Sequence, residues 1–243
     1  MQAGSSPTMQ ASGKLCAQAL AVIAHRGCVH GPDVHRENTL EAIRSATAEG
    51  FSVEFDVRIS TDGRLVLAHD AAAWSPARDP YPFLRNPGGP ACHALNVKSL
   101  LAIPAILNAL RSAGTAKSFF LFDFELLTND RDGCRFLMRS LQDEGFRVAY
   151  RLSDREPYLD AYLGDSAIRE VWLDEFEDWW VTRSVVRALK DRGVACYYVS
   201  PELHGVRNLH TLRARWCDLA DWGVDAICTD YPSELAKLVG GAS

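Results

Sequence analysis

Glycine closes one helical pattern after another in this chain, and each time a β-rich run follows. Helical apolar spacing stops at Gly50, Gly114, Gly145, Gly193 and Gly223, and residues 51–57, 118–126, 147–152, 194–200 and 225–229 then read as strands. Helix, glycine, strand in this order is how βα units are laid around a parallel sheet. With residues 20–25, 64–69 and 170–174 the runs number eight, enough to close the sheet on itself. The expected fold is α/β, a (β/α)8 TIM barrel. At 243 residues and 47% hydrophobic content, the chain suits one such domain with a full core.

Some stretches carry their own signals. Residues 1–17 are polar and expected to be disordered, with the barrel running over 18–243. Asn38 followed by Glu41 predicts a capped helix start, with Leu40, Ile43 and Thr47 on its apolar face. Residues 98–113 show helical spacing, but Pro104 predicts a break or a late start. Residues 60–63, Ser-Thr-Asp-Gly, predict a tight turn joining two strands without a helix. Residues 71–97 hold five of the eleven prolines and read as a long loop that covers the site at the strand ends.

Charge and cysteine usage narrow the partners. A net charge of -5 and an isoelectric point near 5.8 argue against a nucleic-acid or anionic-membrane surface, so an anionic small molecule must be held by a metal or a few arginines. Seven scattered cysteines without a C-x-x-C pair fit reduced thiols in a cytoplasmic protein better than a disulfide framework or a zinc site. Neither a secretory signal nor a transmembrane run is expected, and oligomeric state is not legible.

Chemistry-bearing residues gather at predicted strand ends. Glu54 and Asp56 are two apart on one strand and share a face, which inside a barrel calls for a neutralising hard cation such as Mg²⁺ or Ca²⁺. Glu125 offers a third oxygen near the end of its strand and is preferred to Asp123 because it lies nearer that end. His25 and His69 each close a strand and match the need for one general acid and one general base. Arg26 could clamp a phosphate and Glu37 orient the guanidinium. Arg151, Asp174, Ser200, Glu202 and His204 could face the same pocket, with a Pro/Gly loop of no chemical role as the other reading for 200–205.

Taken in order, HRG at 25–27, ENT at 37–39, E-x-D at 54–56, STDGRLVLAHD at 60–70, a strand-borne glutamate and GVDAICTDYP at 223–232 resemble the glycerophosphodiester phosphodiesterase family, within the phospholipase-C-like phosphodiesterase barrels. The resemblance implies His25 and His69 as the acid/base pair and a divalent cation on Glu54, Asp56 and Glu125. It places Arg26 and Glu37 around the phosphate. Asp230, in the closing motif, is read as a helix cap. The implied activity is metal-dependent hydrolysis of a glycerophosphodiester-like substrate to an alcohol and a phosphomonoester. A lysophospholipid, phosphoinositide or sugar-phosphate diester is the alternative substrate, and a phosphate-binding module with weak turnover the alternative role. Arg36 stands where the family has proline, and Leu127 where it has a lysine two residues after the strand glutamate. Arg151 is the expected stand-in for that lysine.

Overall fold

The computed structural model describes residues 20–90, 92–155 and 159–240; the N-terminal segment expected to be disordered lies outside them. The chain forms a (β/α)8 barrel. The first strands are β1 (Ala21–Ala24) and β2 (Ser52–Ile59), and β3 (Leu65–Leu67) folds back antiparallel on β2 with Val57 opposite Leu67. The ring continues through β4 (His93–Val97), β5 (Phe119–Phe122), β6 (Arg147–Val148), β7 (Tyr150–Ser153), β8 (Glu170–Asp174), β9 (Ala195–Val199) and β10 (Ala226–Thr229). All neighbours around the ring are parallel. Because β6 pairs with β5, β7 pairs with β8 and only Ala149 separates them, one broken strand serves both edges and closes the barrel.

The third stave differs from expectation. Residues 64–69 form a hairpin arm, and the stave is His93–Val97, inside the stretch expected to be a loop. Since β4 runs parallel to β2, the chain between them must cross from the mouth to the opposite end of the barrel. The described part of that crossing holds a 3-10 turn (Pro76–Arg78) and the short helix α2 (Tyr81–Arg85), whose Phe83 and Leu84 are fully buried. Prolines up to Pro90 obscured the strand start, and His93 and Asn96 disguised an otherwise apolar run.

The outer layer is α1 (Leu40–Ala48), α3 (Ile103–Ala113), α4 (Arg131–Asp143), α5 (Leu159–Gly164), α6 (Arg183–Lys190), α7 (Leu209–Trp222) and α8 (Pro232–Gly240). Pro104 sits in the first turn of α3, so that helix starts late, and Gly114 closes it in the left-handed conformation. Inside the ring, Phe120 stacks on Tyr197 with centroids 4.3 Å apart, and Phe122 meets Trp172 at the same distance. Below them Arg147 plugs the barrel, donating to Glu170 at 2.8 Å and to the Tyr197 hydroxyl at 2.7 Å. The interior is a packed aromatic core, and only the layer above it is free for chemistry.

Candidate active site

Strand periodicity lifts polar side chains onto that aromatic floor. On β2, Val53, Phe55 and Val57 join the core between strands and helices, which turns Glu54 and Asp56 inward. On β8 the inward residue above Trp172 is Asp174, and on the broken strand the one above Ala149 is Arg151. All four are nearly or fully buried.

Among the described residues three non-glycine residues have positive φ: Arg26 at 51°, Asn38 at 53° and Asp123 at 69°. Each costs backbone energy, and each is tied to Asp56. Arg26 Nε lies 3.4 Å from Asp56 Oδ2, and its Nη1 donates to Glu37 at 3.1 Å. Asn38 donates to Asp56 Oδ2 at 2.8 Å and accepts the Asp56 amide at 3.0 Å. Asp123 is linked through the ammonium of Lys98, 3.4 Å from Asp56 Oδ1 and 4.0 Å from Asp123 Oδ2. Asn38 is free for this because Thr39, not Asn38, caps α1 by accepting the Ala42 amide.

His25 stands in the 3-10 turn that ends β1. Its Nδ1 is 2.8 Å from Asp230 Oδ1, and its Nε2 is 3.9 Å from Glu54 Oε2, which also accepts the Arg26 amide at 3.2 Å. Gly27 keeps the turn against α1: with φ of 77°, a Cβ there would sit 2.8 Å from the Ile43 nitrogen. His69 lies on the rim. The hairpin returns it to the level of Asp56, where Ala68 donates to the Asp56 carbonyl at 3.1 Å, but its side chain is 45% exposed and bonds the neighbouring Asp70.

Opposite, Arg151 bridges Asp123 and Asp174, and Asp174 also holds His204 Nε2. Glu202 braces this side, accepting from the Ser200 and Thr229 hydroxyls and from the Asp230 amide at 3.0 Å. Glu125 does not join the mouth. β5 ends at Phe122, and the left-handed Asp123 breaks the alternation that would have kept Glu125 inward. Its carboxylate turns to the helix layer, accepting the Arg151 amide at 2.9 Å beside Cys134 and Tyr162. Asp123, the other candidate, stays at the mouth. Lys98, the residue after β4, adds an ammonium to the mouth beside the Arg151 guanidinium.

Burial sets the proton affinities. Burial and the neighbouring Asp56 raise Glu54 well above the ordinary carboxylate range. Burial disfavours charge on His25, but the Asp230 bond and the Glu54 carboxylate outweigh it and hold its pKa above the usual value. Burial, with the Asp123 carboxylate adding to it, pushes Glu125 to about 7. Glu54 and Asp56 stand side by side and offer hard oxygen donors. Among the described residues no three acidic, histidine or cysteine side chains converge as a metal cage. Two carboxylates suffice for Mg²⁺, which takes one or two protein carboxylates and lets substrate phosphate and water supply the rest. The residues present therefore fit such a cation.

The Glycerophosphoryl diester phosphodiesterase family model matches residues 25–76, which hold His25, Arg26, Glu37, Glu54, Asp56 and His69. The family resemblance stands on that match. Glycerophosphodiester phosphodiesterase folds also superpose on the chain. A proposed enzyme of this kind from Galdieria sulphuraria is 14% identical with a TM-score of 0.69, covering 93% of this chain and 99% of that one. One from Parabacteroides distasonis is 19% identical at 0.59, covering 92% and 98%. Tryptophan synthase from M. tuberculosis reaches 0.52 at 14% identity, covering 92% and 91%, so superposition shows the barrel and not the reaction. No curated protein matches the chain. The enzyme class supported by the family match is a phosphoric diester hydrolase.

Proposed function

We propose that the chain hydrolyses a glycerophosphodiester-like phosphodiester to an alcohol and a phosphomonoester at the mouth formed by β1, β2, β4 and β8–β10. The observation that carries this reading is the partly buried His25, held by Asp230 and facing the Glu54–Asp56 pair, with Arg26 and Lys98 beside it. Arg26 and Lys98 would receive the nonbridging phosphate oxygens, where guanidinium and ammonium bonds to an anion are short and strong. His25 moves a proton through Nε2 while Asp230 fixes the ring through Nδ1. The second proton falls to a second histidine, which the resemblance assigns to His69.

Glu54 and Asp56 would hold a divalent cation, Mg²⁺ in preference to Ca²⁺ because the donor set is small. Bound there, such a cation supplies charge to the phosphate oxygens and acidifies the attacking hydroxyl. Arg151, Glu202 and His204 complete the far wall, where the alcohol portion of the substrate would lie. A cytoplasmic location accords with the free thiols of the described cysteines, and no helix among the described residues is long and apolar enough to cross a membrane.

Release of choline-bearing alcohol from glycerophosphocholine, with Mg²⁺ and with chelator, tests the reading beside His25→Ala. Turnover that needs Mg²⁺ and drops 10²- to 10⁴-fold (about the range for a lost proton-transfer group) in His25→Ala is expected. Wild-type turnover unchanged by chelator and by His25→Ala would overturn it.

A further inference from the structure

Resting on the hydrolase reading above and on its assignment of the second proton to His69, we propose that Arg58 and Arg78 are positioning residues that aim this histidine by holding its backbone.

His69 needs an external hold because its side chain has little of its own. The ring is 45% exposed, and the carboxylate it bonds, Asp70, is 94% exposed, so water competes for that contact. The hairpin ladder stops short as well. β3 pairs with β2 from Leu65 opposite Ile59 to Leu67 opposite Val57, and the paired register ends there, two residues before the histidine.

Two arginines take over where the ladder stops. Arg78 Nη1 donates to the Leu67 carbonyl at 3.1 Å, the Ala68 amide donates to the Asp56 carbonyl at 3.1 Å, and Arg58 Nη1 donates to the His69 carbonyl at 2.8 Å. Each of the three residues leading into the rim is therefore tied by its main chain, twice to an ionised donor, a class of bond roughly twice as strong as its neutral counterpart. Arg58 reaches over from β2 and Arg78 from the 3-10 turn of the crossing segment. A swing of the hairpin arm would break both bonds together. The tip of the arm is held to the same segment, where the Arg64 guanidinium lies over the Trp74 ring at 4.4 Å.

Arg78 also connects this arm to the floor of the site. The same Nη1 donates to the Asn38 carbonyl at 3.3 Å, and Asn38, with its φ of 53°, grips Asp56 through both side-chain amide atoms. One nitrogen thus sets the strand bearing the proton donor against the residue that orients the Asp56 carboxylate. Proton transfer to a leaving oxygen works only within hydrogen-bond reach, and a fixed backbone gives an exposed ring that reach.

Leaving-group chemistry separates aiming from general support. Glycerophosphocholine expels an alkoxide that needs a proton, whereas bis(p-nitrophenyl) phosphate expels a stable phenolate. His69→Gln should lose 10²-fold or more on the first and less than about tenfold on the second. The readout for the arginines is the ratio of kcat/KM on the two substrates, in which any loss common to both cancels. Arg58→Met and Arg78→Met should each lower that ratio about tenfold, as a misplaced group does, and lysine at either position should restore part of it. In the His69→Gln protein the same substitutions should leave the ratio where it is, because the group they aim is gone. An unchanged ratio in both single variants, or a tenfold drop that persists in the His69→Gln background, overturns the inference while the hydrolase reading survives. Equal losses on both substrates in His69→Gln overturn the assignment of the second proton and this inference with it. A wild-type protein inactive on both compounds overturns the hydrolase reading as well.

Discussion

At the scale of single residues the mouth is a set of shared charges rather than isolated catalysts. Asp56 is met by Arg26, Asn38 and Lys98, and Lys98 reaches on to Asp123. Lys98→Met would leave two buried carboxylates facing one another and deprive the phosphate of an ammonium. Steady-state kinetics should show kcat/KM down about 10- to 100-fold, the worth of one charged hydrogen bond, with partial return in Lys98→Arg; an unchanged kcat/KM would remove Lys98 from the site. Much at this scale was readable. E-x-D alternation turns Glu54 and Asp56 inward as expected, and His25 and His69, read as closing strands, lie at the mouth and on its rim. Glu125 was misplaced because one left-handed residue, Asp123, resets the alternation, and backbone sign is not written in side-chain type. Asp230 looked like a helix cap because its partner His25 is 205 positions away in the chain.

At the scale of elements, the chain between β2 and β4 shows why local pattern fell short. Its prolines and its exposed hairpin arm resemble a surface loop, yet it ends in a fully buried stave whose first residue is a histidine. His93 accepts the Val53 amide at 3.2 Å and contacts the Gly88 carbonyl at 3.2 Å, so it stitches β2 to the crossing segment as a neutral ring. Burial lowers its pKa to about 4. The unfolded chain takes that proton near the ordinary value of 6.5, so stability is complete above pH 6.5 and is lost as pH falls towards 4. The full loss is roughly 3 kcal/mol. Urea unfolding at pH 7.0, 5.5 and 4.5 should show a steeper decline for wild type than for His93→Gln, and parallel declines would rule His93 out as the cause. Lys98 directly follows that strand, so the placement of the strand also places this cation at the mouth.

At the scale of the whole molecule, barrel closure was legible because helix, glycine and strand repeat with the right count, even though one predicted stave was replaced by another. The acidic mouth has a global consequence as well. A cation that binds Glu54 and Asp56 only in the folded state should raise the unfolding temperature with concentration. Titrating Mg²⁺ into the wild type should give a rise that is lost in Asp56→Asn, and equal shifts in both proteins would place the cation elsewhere. The ring also divides by origin. Residues 25–76, which match a known family model, bring His25, Arg26, Glu54 and Asp56 to the mouth, while Arg151, Asp174, Glu202 and His204 come from the far arc. Grafting the turns after β8 and β9 onto a related barrel would transfer taste for one alcohol over another and leave the phosphate end as it was, making substrate range a property of an exchangeable arc.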